Sequence, residues 1–539
     1  MSSSTTPMFP GVLWFSRRYT RRRFGAAGLN RLWSQFTDAG TPLKLPPSGT
    51  AWIRAAGTRP PPTYGASRSA SAPPKPRRKP RSGGGSTITT DAPTNTNVAT
   101  LKRSLGLRSV VLFGLAYLAP MIVLGTFGVL ALKTHGTVPT GYLLALVALL
   151  FTARSYGKMS ARFPVAGSAY TYTRRAIDSR AGFLVGWAVL LDYFFLPMVI
   201  WLIGAAFLSA KFPGVPNWIW IVGFIIITSI LNVIGIKAAA NANLILMSFQ
   251  ILVLAIFVAL SLRHVLHTGG AGALLSSTPF LNPRTTISAV SAGAALAAYS
   301  FLGFDAITTL TEETIEPKKT IPRAIMLVLL IGGGIFLVVT YSTQLVRPGG
   351  PSADESSAAF TIAKTIGGDL FSSLFLAGLV VTQFASGLAA QTSVARLLYA
   401  MGRDSVFPKR IFGYLHPRFH TPAINVLLSG VVGLIALKLS VATSTSFINF
   451  GAFTAFTFVN LCVIAMFIRQ RREHGPSQRV VPHVVFPAIG AVVDVYLLLH
   501  LDGKAKLLGV AWLTCGVLYL TYLTRGFRRP PPEIENVED

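Results

Sequence analysis

Charged residues are scarce in this sequence of 539 residues. Only 13% of the residues are Asp, Glu, Lys or Arg and 51% are hydrophobic, whereas soluble domains carry about 25% charged residues. Apolar runs of about 20 residues recur along the chain, and each is long enough to cross about 30 Å of hydrocarbon as a helix. These features exclude an ordinary soluble domain and indicate an all-α integral membrane protein that lies in a lipid bilayer.

Cysteines and motifs of enzyme chemistry are also scarce. Cys462 and Cys515 are the only cysteines, and both lie in apolar runs, which argues against a disulfide framework and a Cys-based zinc site. The sequence has no nucleotide-binding P-loop, no H-E-x-x-H zinc helix and no G-x-S-x-G nucleophile elbow. We therefore expect a protein that is not an enzyme, holds no cofactor or metal, and does not use ATP directly.

Acidic residues are nearly absent from the N-terminal fifth of the chain. Residues 1–108 contain 18 of the 49 Lys and Arg residues but only 2 of the 19 Asp and Glu residues. The Pro/Ser/Arg-rich composition of residues 1–100 predicts a disordered basic tail, because it offers no apolar face to bury. Attraction to anionic lipid, a transit peptide and a start-site extension of the gene model all remain open. Nucleic acid is not an expected partner, since aromatic-interleaved recognition patterns are lacking.

Residues 101–525 are predicted to form the transmembrane domain, and residues 526–539 a short cytoplasmic tail. The hydropathy pattern predicts about twelve transmembrane helices. They cover residues 109–132, 138–156, 182–210, 217–236, 242–262, 287–311, 323–346, 370–395, 422–439, 445–468, 482–500 and 505–524.

The basic residues of the connecting segments indicate the orientation of these spans. Segments 154–180, 396–418 and 469–479 are rich in Lys and Arg, and all three lie on the same side of the membrane in the twelve-span reading. Segments on the other side are poorer, with only Lys211 between the third and fourth spans. Because loops rich in Lys and Arg stay in the cytoplasm, we expect a protein of the cell membrane with both termini inside.

Two predicted spans contain helix-breaking residues at matching points. The first span includes AYLAPMIVLGTFG, with Pro120 and Gly125 in its middle, and the sixth includes AAYSFLGFDAITT, with Gly303. Interrupted helices at corresponding positions of two five-helix units indicate an inverted-repeat transporter.

An aspartate follows the glycine of the sixth span. A carboxylate near the bilayer centre costs about 2.5–3.5 kcal/mol on insertion scales, so a function is expected for Asp305. Gly303 permits the helix to break beside it, and Asp305 would then bind a substrate ammonium group or a proton. The alternative is that Asp305 only caps the second half-helix. Phe301 and Phe304 flank the break and could cover a bound cation or gate the path; ordinary packing is the alternative for each.

A second intramembrane aspartate lies in the third span. Asp192 stands in LLDYFFLP, and together with Asp305 it could take the two ends of a diamine. An ion pair with a Lys or Arg, or a polar contact near the membrane edge, is the alternative. Tyr193 could add a hydroxyl group to such a site.

Five segments resemble the amino acid–polyamine–organocation superfamily of secondary transporters, and the stretches AYLAP (116–120) and LLDYFFLP (190–197) most resemble its putrescine importer branch. The segments are ARSYGKMSARFPVAGSAYTYTRRA (153–176), GFLVGWAVLLDYFFLP (182–197), FLGFDAITTLTEETIEPKKTIPRAI (301–325), ARLLYAMGRDSVFP (395–408) and INFGAFTAFTFVN (448–460). The resemblance implies a LeuT-like fold of twelve helices with 5+5 inverted repeats and broken helices one and six. It also implies a substrate site at mid-membrane and uptake coupled to protons or another ion.

The first span departs from the pattern of amino acid carriers in this superfamily. Many of these carriers bind the substrate carboxylate with free N–H groups of a glycine-rich break, whereas this sequence has Ala119, Pro120 and Met121 there. Proline has no N–H to donate, which favours an amine without a carboxylate over an amino acid, although a break at Gly125 would keep the second reading open. Tyr117 could reach the cavity or simply line the helix.

Overall fold

The computed structural model describes most of the chain after the N-terminal tail. The described residues are 103, 105–165, 167–234, 239–349, 355–403, 406–419, 421–474, 479–529 and 531. The predicted tail of residues 1–100 and most of the predicted C-terminal tail of residues 526–539 lie outside this part of the chain.

The described residues fold into an all-α membrane domain, as predicted. Its spans are α1a (Leu107–Leu118), α1b (Ile122–Lys133), α2 (Val138–Arg162), α3 (Ser179–Lys211), α4 (Asn217–Ile234), α5 (Ala239–Ala273), α6a (Ile287–Ala297), α6b (Ala306–Glu313), α7 (Pro317–Val346), α8 (Ala358–Arg403), α9 (Ala423–Gly433), α10 (Val441–His474), α11 (Phe486–Leu499) and α12 (Gly503–Leu523). Ten spans are long and apolar enough to cross a membrane, α1a and α1b qualify as one bent pair, and α9 continues to Lys438 as a shorter apolar helix. These twelve units confirm the predicted number of spans.

The first four spans each pack against the span that lies five further along the chain. α2 packs most extensively on α7 and α3 on α8, while α4 contacts α9. The half-helices pair in the same way, with α1a against α6b and α1b against α6a. Because five is an odd number, the two members of each pair cross the membrane in opposite directions. This is the packing of the predicted 5+5 inverted repeat, with α10 lying against α3 and α11.

Short polar side chains begin several of the helices. The Asp178 carboxylate accepts the N–H of Arg180 at 2.8 Å at the start of α3, and the Thr286 hydroxyl accepts the N–H of Ala289 at 3.1 Å at the start of α6a. Asp502 does the same at the start of α12. Each contact satisfies an N–H group that has no partner within its helix.

Two spans are broken in the middle of the domain. The first breaks at Ala119–Met121, where Ala119 adopts a left-handed φ of 48° and Pro120 follows; the two halves meet at a bend of 44°. The sixth breaks after a short 3₁₀ turn, Ala298–Phe301, where Gly303 has a φ of 116°. Both breaks were predicted from sequence, but Gly125 lies inside α1b and takes no part in the first one.

A backbone clasp joins the ends of α1a and α6b that lie away from the breaks. The N–H of Leu105 donates to the Glu313 carbonyl at 3.0 Å, and the N–H of Ile315 donates to the Leu105 carbonyl at 2.9 Å. The two segments therefore pair as a single parallel β-bridge beside the first turn of α1a.

Candidate functional site

The two helix breaks meet at Gly303. A side chain at this position would overlap Cδ1 of the Tyr117 ring, and its Cβ would lie 3.1 Å from Cγ of the same ring. The φ of 116° at Gly303 is also one that residues with a side chain rarely adopt. Glycine is thus required here for two reasons, the backbone conformation and the close approach of α1a.

Asp305 lies directly after this break and is 5% exposed. Its Oδ1 accepts the N–H of Gly303 at 3.3 Å, so the carboxyl group bonds to the break itself. It makes no capping hydrogen bond to α6b within the usual distance and angle, although the N–H of Ala306 at the start of α6b also lies close to this carboxyl group. The main-chain carbonyl of Asp305 bonds to the first turn of α6b, because it accepts from the Thr308 hydroxyl at 2.6 Å.

Asp192 on α3 is equally buried and lies near enough to Asp305 for the two charges to interact. Its Oδ1 has no hydrogen-bond partner. The ion pairs seen in the described part of the chain, such as that of Lys364 with Asp369, lie at exposed positions. None of these pairs involves Asp192 or Asp305. Removing a charge from water without a partner is costly, so these two carboxyl groups require either a cationic ligand or bound protons.

Tyrosines surround the two carboxyl groups. Tyr117 and Tyr193 lie within electrostatic range of both acids, and Tyr156 of α2 lies near Asp305. The hydroxyl groups of Tyr156 and Tyr193 are buried without a hydrogen bond; Ser168 neighbours Tyr156, but not in hydrogen-bond geometry. A buried hydroxyl without a partner costs about 1–3 kcal/mol, so these groups are poised to bond to a ligand.

Phe304 belongs to this tyrosine-lined region, whereas Phe301 does not. The Phe304 ring packs edge-on against Tyr156, with centroids 5.7 Å apart, and lies 5.2 Å from Phe456 of α10. Phe301 instead packs between Tyr142 of α2 and Phe336 of α7. Both phenylalanine rings are completely buried.

The residues of the first break face different neighbours. Met121 is buried and turns toward α8, where its sulfur would lie 3.3 Å from a Cβ on Gly378. Pro120 is buried at the bend itself and donates no hydrogen bond. The structure thus brings Tyr117, Asp192 and the 303–305 segment together, while Met121 and Phe301 pack on surrounding helices.

Sequence reasoning left Tyr156 out of the candidate site. Its motif, RSYGKMS, was read as part of a family segment at the end of the second span. A tyrosine that interrupts an apolar face is a usable signal, but its neighbours come from α6 and α10, far away in the chain. The polar residue Gln391, by contrast, is an interhelical contact, because its amide donates to Ser229 and to the Val426 carbonyl.

Comparisons with known proteins agree with this architecture. The family model described as "Amino acid permease" matches residues 110–501. The chain is similar to the low-affinity putrescine importer PlaP of Escherichia coli K12, with 40% identity over 445 residues, which cover 82% of this chain and 98% of that protein. It is also similar to the branched-chain amino acid permease BcaP of Bacillus subtilis, at 24% identity over 78% of this chain and 93% of that protein. The human cationic amino acid transporter 4 is 26% identical over 71% of this chain and 62% of that protein.

Proposed function

This chain belongs to the amino acid permease family, and from that premise we propose that it imports putrescine or a related small polyamine. The observation that carries the proposal is the pair of buried carboxyl groups, Asp192 and Asp305, that have no basic partner in the described part of the chain. A diamine presents one ammonium group at each end, and two carboxylates match that charge distribution. The 40% identity to PlaP over most of both chains supports this choice.

The break of α1 supports an amine without a carboxylate group. A substrate carboxylate needs N–H donors at the half-helix end, and Pro120 supplies none. The N–H of Ala119 and that of Ile122 already donate to main-chain carbonyls. Of the main-chain donors of residues 119–122 at this break, only the N–H of Met121 has no carbonyl acceptor, so the break offers little to an anionic group, whereas the acids beside it suit a cation.

In this proposal Asp192 and Asp305 bind the two ammonium groups, and the nearby tyrosines complete the site. The unpaired hydroxyl of Tyr193 accepts from one ammonium group, Tyr117 and Phe304 provide aromatic faces, and Gly303 keeps the break open. Pro120, Met121 and Phe301 shape the surrounding walls.

The membrane potential is a sufficient driving force for such a substrate. A potential of 100 mV, negative inside, is worth about 2.3 kcal/mol per charge, and hence about 4.6 kcal/mol for a divalent amine. At 1.4 kcal/mol per factor of ten, this corresponds to about a 2000-fold accumulation. Proton coupling would add to it. We place the protein in the cytoplasmic membrane with both termini inside, on the basis of its basic connecting segments.

An amino acid permease is the second candidate, because several relatives carry that description. Uptake of labelled putrescine and of a panel of amino acids into proteoliposomes under a set potassium diffusion potential separates the two candidates. We expect putrescine uptake that saturates and rises with the inside-negative potential. Uptake of zwitterionic amino acids alone would overturn the polyamine proposal.

Substitution of the two acids tests the site. Asp192→Asn and Asp305→Asn should each reduce putrescine uptake at low concentration about 10- to 100-fold, since a hydrogen bond to a charged group is worth about 1.5–3 kcal/mol. Asp369→Asn is the matched control, because that carboxylate is exposed and paired with Lys364. Wild-type uptake in both site variants would show that the amine binds elsewhere.

A further inference from the structure

A third buried carboxyl group lies away from the candidate amine site. Asp494 of α11 is completely buried between α10 and α2. Its Oδ2 accepts from the Thr152 hydroxyl of α2 at 2.8 Å and from the Asn460 side-chain amide of α10 at 3.0 Å. The same Asn460 amide also donates to the Thr152 hydroxyl at 2.9 Å. Three helices are thus held together by one closed triangle of side chains.

The triangle leaves two oxygen atoms without donors. Oδ1 of Asp494 and Oδ1 of Asn460 are buried and have no hydrogen-bond partner. Helices α10 and α11 approach too closely at this level for another side chain to enter, since a Cβ on Gly490 would lie 2.9 Å from Cγ of Asn460. Only something small, such as a proton, a metal ion or a water molecule, can complete the site.

No basic side chain that the structure describes on the elements around Asp494 is seen to pair with its carboxyl group. His500 follows the last residue of α11, and its Nδ1 lies 2.9 Å from the Tyr496 carbonyl. The Tyr496 hydroxyl bonds to Ser291. The guanidinium of Arg154 lies over the Phe486 ring and Lys158 donates to the Pro482 carbonyl, both more than two turns away along α11. Arg469 on α10 pairs with Glu473, and α6a, the other neighbour of α11, carries no titratable residue.

The chemistry of the cluster favours a proton over a metal ion. A hard cation such as Ca²⁺ takes about six to eight oxygen ligands, whereas this cluster offers one free carboxyl oxygen and one amide oxygen. A proton needs a single oxygen and can be shared in a hydrogen bond with a second. An unpaired carboxylate in such an environment is strongly disfavoured, and binding a proton neutralises it.

The cluster is linked to the amine site through two helices. Residues four apart share one face of a helix, so Thr152 lies one turn from Tyr156 on α2 and Asn460 one turn from Phe456 on α10. The rings of Tyr156 and Phe456 are in contact, with centroids 5.8 Å apart, and both touch Phe304 at the break. Any movement of the break against these rings therefore acts on the helices that close around Asp494.

We propose that Asp494, Asn460 and Thr152 form a proton-binding site distinct from the amine-binding acids, whose proton moves with the amine during transport. Asp494 carries the proton on Oδ1 when α2, α10 and α11 are packed together, and releases it when movement of these helices admits water. The coupling part of this inference rests on the proposed amine import, whereas proton binding at Asp494 does not.

Infrared difference spectroscopy tests proton binding without any substrate. The purified wild-type protein should show the C=O stretch of a protonated carboxylic acid. This band should be absent from Asp494→Asn. It should remain in the control variant Asp502→Asn, whose aspartate caps the start of α12. Thr152→Val removes one of the two donors to Oδ2, so its C=O band should persist but move to higher frequency than in the wild type. Identical spectra for the wild type and Asp494→Asn would overturn the proposal.

Uptake into proteoliposomes tests the coupling. At a fixed membrane potential, an inward proton gradient should stimulate putrescine uptake by the wild type and by Asp502→Asn, whereas uptake by Asp494→Asn should not respond to the gradient. Equal stimulation of Asp494→Asn would show that this proton is not carried. A sodium requirement that disappears in Asp494→Asn would also overturn the proton assignment. If the wild type takes up no putrescine, the proposed function fails, but the infrared result still decides whether Asp494 binds a proton.

Discussion

Replacement of Gly303 by alanine tests whether the contact between the two broken helices is needed for transport. A Cβ at this position would overlap the Tyr117 ring, and the backbone φ of 116° is strained for any residue with a side chain. Strain of this type costs about 1–3 kcal/mol, before the ring is displaced. Either α6 straightens locally or Tyr117 moves away from the two acids, and both responses disturb the proposed binding site.

We therefore expect Gly303→Ala to lower the apparent affinity for putrescine about 5- to 150-fold, the range that corresponds to 1–3 kcal/mol. The assay is initial-rate uptake in proteoliposomes at equal amounts of reconstituted protein. Gly334→Ala on α7 is the matched control, because a Cβ there meets no atom within 4 Å and its φ is not in the left-handed region. Tyr117→Ala, alone and combined with Gly303→Ala, separates the two contributions: the single variant measures the loss of the ring from the proposed site, and any further loss in the double variant measures the backbone strain. Wild-type uptake by Gly303→Ala would refute the reasoning.

Two further predictions concern hydroxyl and indole groups. Tyr193→Phe removes a buried hydroxyl that has no partner, so thermal stability should stay level or rise. If the hydroxyl bonds to an ammonium group, the KM for putrescine should rise about tenfold or more. An unchanged KM would exclude that bond. Trp512→Phe removes an indole that donates to the Trp187 carbonyl at 2.9 Å, so the free energy of unfolding should fall by about 1–2 kcal/mol. Thermal unfolding followed by fluorescence measures this loss, with the exposed Trp218→Phe as control; equal stability of the two variants would contradict it.

The spans and their breaks could be predicted from sequence because both are local properties. Apolar length alone marks a span, and Pro120 and Gly303 mark the points where a helix cannot continue. The ends of the helices were harder to predict from sequence. α2 extends to Arg162 and α10 to His474, past the predicted ends at 156 and 468, because a helix can continue into water after its apolar run stops.

The polar cluster around Asp494 could not be predicted, because it depends on pairing between distant spans. Asp494 and Thr152 are separated by 342 positions in the chain, and neither one indicates the other. Asn460 is a polar residue in an apolar span, and the structure shows that its side-chain amide bonds to the two neighbouring helices. The proximity of Asp192 to Asp305 was a hypothesis that required a fold in which the third and sixth spans meet, and no local pattern at either aspartate shows this.

The clasp between Leu105 and the 313–315 segment consists of main-chain groups alone. Its persistence therefore does not depend on which side chains occupy those positions, provided that neither donor becomes proline. Separating the outer end of α1a from that of α6b requires both hydrogen bonds to break, whereas a joint displacement keeps them intact. The least costly way to open this end of the molecule is thus a movement of α1a and α6b together as one rigid body.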